Sequence, residues 1–289
     1  MGSPVREFDV VIPAYNASAT VASAVRSARR AGAANVIVVN DGSSDGTRQE
    51  AVSAGATVID QMNSGAALAR RNGLRHVESE CVVLLDADDQ LVASGVEKSL
   101  ELLGADASLV AAGGAVVFRS SGRDVSVLRH ARPEMTTRRL LENGFSPAPP
   151  CAFVWSRRAL ASALESPLPG LWPRYAEDFE MVIRASLEGG IRLHSEVAAI
   201  YAAEGGKSSV VPMRSIESSE AIRQHYADLL GIPLRQRSKR ALEARVILRG
   251  LQSGPPKNQH KFLALVSAAT KDPALLCRLA AGRLARVLS

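Results

Sequence analysis

From Phe8 to Asp89, short β-branched runs that are largely apolar alternate with stretches of helical periodicity, and this alternation leaves few architectures open. The spacing predicts strands over 9–13, 35–40, 56–59 and 81–85, and helices over 18–31, 45–54 and 66–77. Strand and helix in regular alternation argue for an α/β fold, a doubly wound and mostly parallel sheet. Runs without polar alternation are what strands need when helices cover both faces. Ligands of such sheets bind beyond the carboxyl ends of the strands. Asn16, Asp41 and Asp86 stand at or just past three of those ends.

Beyond Asp89 the regularity changes. A helix is predicted over 92–103 and a strand over 108–118, with 124–128 returning as the second arm of a hairpin. Ser146-Pro147-Ala148-Pro149-Pro150 cannot continue a helix or a central strand and reads as a loop over a site, leading into a strand over 151–155. A helix over 177–188 ends at Gly189-Gly190, and a strand follows over 191–201. Helices over 215–230, 237–251, 261–270 and 274–288 are separated by Gly and Pro breakers.

At 289 residues with 46% hydrophobic content, the chain has ample material for a core and is not a disordered one. No apolar run approaches the ~20 residues a spanning helix needs, and Met1 to Glu7 lack an apolar signal core. Cys81, Cys151 and Cys277 are too scattered for a disulfide framework or a zinc cluster, so the cytoplasm is the expected location. From Gly205 onward there are 15 Lys and Arg against 5 Asp and Glu, while the whole chain carries +6, so the remainder is near −4. The basicity belongs to the tail. Without an aromatic-and-basic RNA module, zinc finger or recognition helix, nucleic acid is not an expected partner.

The acids carry the chemistry. Desolvating an unpaired carboxylate costs several kcal/mol, so acids at the rim of a buried sheet point to a cation or a ligand proton. In Asp86-Ala87-Asp88-Asp89, strand geometry sends Asp86 and Asp88 to one face, and three acids in four residues repel without a cation. Hard oxygen ligands of this kind suit Mn²⁺ or Mg²⁺. Asn63-Ser64-Gly65 precedes a helix that carries Arg70, Arg71 and Asn72, and the free N–H groups of such a helix start suit an anion. Glu177-Asp178 opens another helix, where first-turn acidity alone would also serve the helix dipole. Asp45 reads as an N-cap and Asn16 or Ser18 can be one, while Trp172 suits a sugar platform and a core anchor equally.

Taken in order over 8–201, these motifs resemble the inverting family 2 glycosyltransferases, which have the GT-A fold. The resemblance implies a GT-A domain over 1–204, with a nucleotide-binding half to about 105 and an acceptor half over 106–204, followed by a basic helical extension over 205–289. It implies that the turn Pro13-Ala14-Tyr15-Asn16 packs on the nucleotide base and that Asp41 accepts the imide hydrogen of uracil or thymine, favouring a UDP- or dTDP-sugar. Asn63 and Arg70 would serve the donor, Arg70 or Arg71 approaching the diphosphate or orienting the aspartates. Asp86 and Ala87 would meet the nucleotide, Asp88 and Asp89 would hold the metal, and Asp178 would be the general base, its pKa raised by the neighbouring acid and partial burial. The implied reaction is sugar transfer to a hydroxyl on a saccharide, a lipid-linked or a small-molecule acceptor, in envelope polysaccharide, glycolipid or glycoside synthesis.

One departure qualifies the resemblance: Glu204-Gly205-Gly206-Lys207-Ser208-Ser209 has no histidine where family members often carry one for the metal or diphosphate, and Lys207 is a candidate substitute. His194, inside the preceding strand, reads as structural. The missing histidine and the basic tail keep open a rival, a catalytically silent nucleotide-sugar-binding scaffold. A nucleotidylyltransferase is disfavoured, because Pro13-Ala14-Tyr15-Asn16 stands where its glycine- and arginine-rich phosphate loop would be. The tail allows peripheral contact with the anionic inner membrane face or packing on the catalytic domain, and the sequence is compatible with a homo-oligomer.

Overall fold

The computed structural model describes residues 6–130, 132–173, 175–203, 212–252 and 271. The amino-terminal part runs β1 (Phe8–Ala14), α1 (Val21–Arg30), β2 (Val36–Asp41), α2 (Thr47–Ser53), β3 (Thr57–Gln61), α3 (Ala66–Leu74) and β4 (Cys81–Leu84). After β5 (Gln90–Leu91) and α4 (Ala93–Ala105), β6 (Leu109–Ser120) and β7 (Arg123–Leu128) form the expected antiparallel hairpin. There follow β8 (Glu134–Met135), α5 (Thr137–Asn143), a 3₁₀ turn at Pro150–Ala152, β9 (Phe153–Ser156), α6 (Arg157–Glu165), α7 (Glu177–Glu188), β10 (Gly190–Ala202), α8 (Pro212–Leu229) and α9 (Lys239–Gln252).

The described strands make one sheet in the order β3-β2-β1-β4-β9-β6-β10-β5, with β7 on β6 and β8 on β10. β3, β2, β1 and β4 are mutually parallel, β9 runs antiparallel to both β4 and β6, and β6 and β10 are parallel. The chain leaves β1 toward β2 and β3, then returns to the other side of β1 for β4. That reversal opens a crevice beyond the carboxyl ends of β1 and β4.

Side-chain alternation explains why the strands read as apolar throughout. Val10, Ile12, Val36, Val38, Cys81 and Val83 belong to a core beneath α1 and α4. Val11, Ile37, Val39, Val82 and Leu84 belong to a second core that takes in α3, α6 and α7. Each strand therefore buries both faces. Helix α3 sits low on the sheet because Gly73 has no side chain: a Cβ there would lie 2.4 Å from Val11 Cγ1.

Three elements differ from expectation. Helices α5 and α6 were not anticipated. The Pro-rich segment is not a loop over a site, because Ala148, Pro150, Cys151 and Ala152 are buried and the 3₁₀ turn packs on β4, β6 and β10. Beyond β10, α8 packs on α5 and α7 and buries Ile216, Ile222, Tyr226 and Ala227. Three basic side chains of this region turn to the protein, whereas Arg214, Arg235, Lys239 and Arg240 are exposed: Arg223 pairs with Glu220, Arg237 bridges Glu220 and the carbonyls of Glu142 and Asn143, and Arg245 donates to Asn143 O. No helix among the described residues is long and apolar enough to cross a membrane. The helices expected over 261–270 and 274–288, together with Lys207 and Cys277, lie outside the described residues.

Candidate active site

The loops leaving β1 and β2 are laced together. The backbone N–H of Asn16, a residue at φ 48°, donates to Ser43 Oγ at 3.0 Å, and Asn16 Oδ1 accepts Ser44 N–H at 2.9 Å. Asp45 accepts from Thr47 N–H at 3.0 Å and Ser18 N–H at 3.1 Å, with the Thr47 hydroxyl as a further donor. It thus receives the first N–H of α2 from one position ahead of the N-cap, which is Gly46 and not Asp45 as expected. Pro13 and Ala14 complete β1 and are buried, whereas Tyr15 projects outward, 53% exposed.

Asp41 is buried at the end of β2. Its Oδ1 accepts from Gln61 Nε2 (2.8 Å) and Ser64 N–H (2.7 Å), and its Oδ2 from Gly65 N–H (2.9 Å). A carboxylate has about four acceptor places, so these three bonds leave room for one more donor, on Oδ2. The same bonds hold the exposed Asn63-Ser64-Gly65 turn against β2. Gly42 makes that approach feasible: at φ 75°, a Cβ on it would meet Asn63 N at 2.9 Å.

Arg70 is the centre of the second cluster. Buried on α3, it donates to Asp86 Oδ1 at 2.6 Å and reaches Glu177 Oε1 at 3.5 Å, while its Nε has no hydrogen-bond partner. Burial works against its charge, but Asp86, Glu177 and Asp178 more than offset this and raise its pKa. Burial and the neighbouring Asp178 raise the Glu177 carboxyl, and Arg70 opposes them. Asp178 lines a narrow cleft with Arg70, Arg71, Trp172, Glu177 and Met181. Arg71 turns aside to donate to Leu164 O at 2.8 Å and stacks on Trp172, which Arg184 also approaches.

Sequence reasoning missed what holds Trp172. The buried Glu180 accepts from Leu171 N–H at 2.8 Å, Trp172 N–H at 2.6 Å and the hydroxyl of Tyr226 on α8 at 2.9 Å. Arg184 donates to the same hydroxyl at 2.9 Å and to the carbonyls of Ala163, Ser166 and Leu168. Burial pushes the Tyr226 pKa up to about 12, so its proton stays in place to be donated. Trp172 and Ala176 take positive φ of 40° and 64°. The loop between them is held in a strained form by α7 and α8.

The Asp86-Ala87-Asp88-Asp89 segment separates its acids. Asp88 is exposed and opens into a cavity of about 230 Å³. Partial desolvation there and the charge of Asp86 raise its pKa. Asp89 turns the other way: 1% exposed, it accepts from Ala202 N–H at 2.8 Å and lies by the Cys151 thiol, and its Oδ2 has no hydrogen-bond partner. Burial and the two neighbouring acids push its pKa well up, and it does not line the cavity into which Asp88 opens. No group of three or more His, Cys, Asp and Glu among the described residues could by itself hold a metal ion. The fit is to a hard cation shared between Asp88 and ligand oxygens, the mode in which Mg²⁺ meets phosphates. His194 is structural, with Nε2 2.8 Å from Ser99 Oγ.

The comparisons agree with this geometry. The family model for glycosyl transferase family 2 matches residues 9–164. Glycosyltransferase AglJ of Haloferax volcanii is 38% identical over 95 residues, covering 32% of this chain and 31% of AglJ. The Escherichia coli protein named UDP-Glc:alpha-D-GlcNAc-diphosphoundecaprenol beta-1,3-glucosyltransferase WfgD is 28% identical over 100 residues, 32% of this chain and 40% of WfgD. The chain thus matches less than half the length of either. Among solved structures, S. aureus TarS 1–349 in complex with UDP-GlcNAc superposes with a TM-score of 0.58 at 18% identity, over 92% of this chain and 81% of that one. The mannosyltransferase PcManGT from Pyrobaculum calidifontis, in complex with GDP-Man and Mn²⁺, gives 0.56 at 19% identity, over 98% and 81%. These likenesses establish the GT-A fold.

Proposed function

Because the chain belongs to glycosyl transferase family 2, we propose that it is an inverting enzyme that moves a sugar from a nucleotide-diphosphate sugar to a hydroxyl acceptor. The observation that carries the reading is the reach of Arg70 from Asp86 at the end of β4 to Glu177 beside Asp178. One buried cation joins Asp86 to the neighbour of the candidate base.

In this reading Tyr15, Asn16 and Asp41 receive the base, the remaining acceptor place on Asp41 Oδ2 taking the imide N–H of uracil or thymine. Asn63 borders that pocket and Asp86 meets the ribose. Asp178 takes the proton of the acceptor hydroxyl as its oxygen bonds to the anomeric carbon. The bond from that carbon to the diphosphate breaks, its electron pair leaves with the nucleoside diphosphate, and the configuration inverts. Mn²⁺ or Mg²⁺ on Asp88, when bound, supplies charge stabilisation for the diphosphate. Trp172, beside Asp178, offers an apolar face to the acceptor. The similarity to WfgD, named for transfer to a GlcNAc-diphosphoundecaprenol, supports a lipid-linked saccharide acceptor, which a cytoplasmic enzyme would meet at the inner membrane face.

The test is thermal stability with UDP-, dTDP- and GDP-sugars, with Mn²⁺ or with chelator. A donor at 100 times its Kd adds roughly 2.7 kcal/mol and a clear melting shift. Asp88→Ala should lose the metal-dependent part of that shift. Asp178→Asn should keep it and lose turnover by ~10²-fold or more. A donor-dependent shift without any turnover would replace the enzyme reading with the silent scaffold, and no shift with any donor in the presence of metal would refute both.

A further inference from the structure

Neither arginine expected at the diphosphate is available to it in full. Arg70 is spent on Asp86 and Glu177, and Arg71 on Leu164 O and the ring of Trp172. A third arginine lines the cavity into which Asp88 opens: Arg119, near the carboxyl end of β6. Its Nε donates to Asp124 Oδ1 at 2.7 Å across the β6–β7 hairpin, which fixes the plane of the guanidinium. The turn of that hairpin, Ser121 at φ 48° and Gly122 at φ 75°, lines the same cavity. On the other side, Arg119 O accepts Ala203 N–H at 2.8 Å, so the ends of β6 and β10 form one wall. The two terminal nitrogens of Arg119 make no hydrogen bond to a described residue.

A cavity with a carboxylate on one wall and a half-exposed, pre-oriented guanidinium on another suits an anion that also binds a cation. Diphosphate is such an anion. A planar fork with two terminal nitrogens to offer matches two oxygens of one phosphate. We infer that Arg119, held by Asp124 as its positioning residue, binds the diphosphate of the donor and stabilises the charge that collects on it as the bond to the sugar breaks. This rests on the proposed donor chemistry. It also gives a cation to a site whose following segment, 204–209, contains no histidine.

The experiment is a calorimetric affinity series on the full chain with Mn²⁺: uridine, UMP, UDP and UDP-GlcNAc, and the matching thymidine and guanosine series. Variants are Arg119→Gln, Arg119→Lys and Asp124→Asn, with Arg123→Gln as a control on the same hairpin. Arg119→Gln should weaken the preferred nucleoside diphosphate about 10- to 100-fold while changing the monophosphate less than about threefold, as expected for loss of charge-assisted hydrogen bonds. Arg119→Lys should recover part of the loss, Asp124→Asn should fall between, and Arg123→Gln should match the unaltered chain. Equal weakening of mono- and diphosphate, or a loss seen with the sugar nucleotide and not with the diphosphate, overturns the assignment. Unaltered protein that binds no nucleoside diphosphate refutes the donor reading and this inference with it, whereas binding that Arg119→Gln leaves intact refutes the inference alone.

Discussion

Replacing Tyr226 by phenylalanine removes one oxygen from a position with no solvent access, and its cost follows from the network around it. The hydroxyl accepts from Arg184 Nη1 and donates to Glu180 Oε1, both at 2.9 Å. Net hydrogen bonds to charged groups contribute about 1.5–3 kcal/mol each. Arg184 keeps three carbonyl acceptors and Glu180 keeps two backbone donors, so the loss falls short of two full bonds, at about 2–3 kcal/mol. For a chain of this size that lowers Tm by roughly 5–10 °C. Thermal unfolding followed by circular dichroism measures it. A second readout is local: Trp155 is fully buried, so the accessible indole is Trp172, whose amide Glu180 holds. Iodide quenching of its fluorescence should rise in Tyr226→Phe, while donor affinity stays within about twofold, because no nucleotide-side residue has moved. A Tm within a degree of the parent, or lowered stability with unchanged quenching, would refute the claim that α8 governs the loop through Glu180.

Two further outcomes are expected. Asp9, fully buried, accepts from the Asn35 and Ser79 side chains and the amides of Asn35, Glu78 and Ser79; burial raises its pKa, but these five bonds more than offset it and bring it below 3.8. Its contribution is therefore present in full above about pH 4 and lost as pH falls through the lower folded value, so Asp9→Asn should destabilise at pH 7 by about 2 kcal/mol and flatten the acid limb of urea-midpoint against pH. Arg70→Gln leaves Asp86 and Glu177 facing each other without their shared cation and should cost about 3–5 kcal/mol by urea unfolding; a loss under about 1 kcal/mol would mean that the buried ion pair is not holding α3 to α7.

Local and periodic features were the legible ones. Strands β1, β2 and β4 announced themselves because both faces are buried and most positions are apolar, whereas the edge strand β3 leaves Thr57 and Asp60 exposed, and helix α7 was bounded correctly by Glu177 at its start and Gly189 at its end. The missed helix α5 had readable signals: Thr136 accepts Arg139 N–H at 3.3 Å as N-cap, and Gly144 ends the helix at φ 74°. Ser156 likewise caps α6, but β9 runs into that helix with no turn residue to mark the change. The division of labour within Asp86-Ala87-Asp88-Asp89 was beyond sequence reasoning. Strand geometry stops at Leu84, and what seats Asp89 is Ala202, 113 residues away, with Cys151. The bond from Glu180 to Tyr226 spans 46 residues and obeys no periodicity.

The shared grip of Arg70 also limits how such a chain can be recombined. A chimera that joined 1–105 to a foreign acceptor half would carry Arg70 and Asp86 with it but import whatever residue stands at position 177. An acid there would restore the clasp; a neutral residue would leave Arg70 paired only with Asp86, and a basic one would set two cations together in a buried cleft. Substitutions at 86 and 177 should therefore be non-additive, although the two residues are 91 positions apart. The carboxy-terminal part of a chain built this way can be exchanged only together with the acid that faces Arg70.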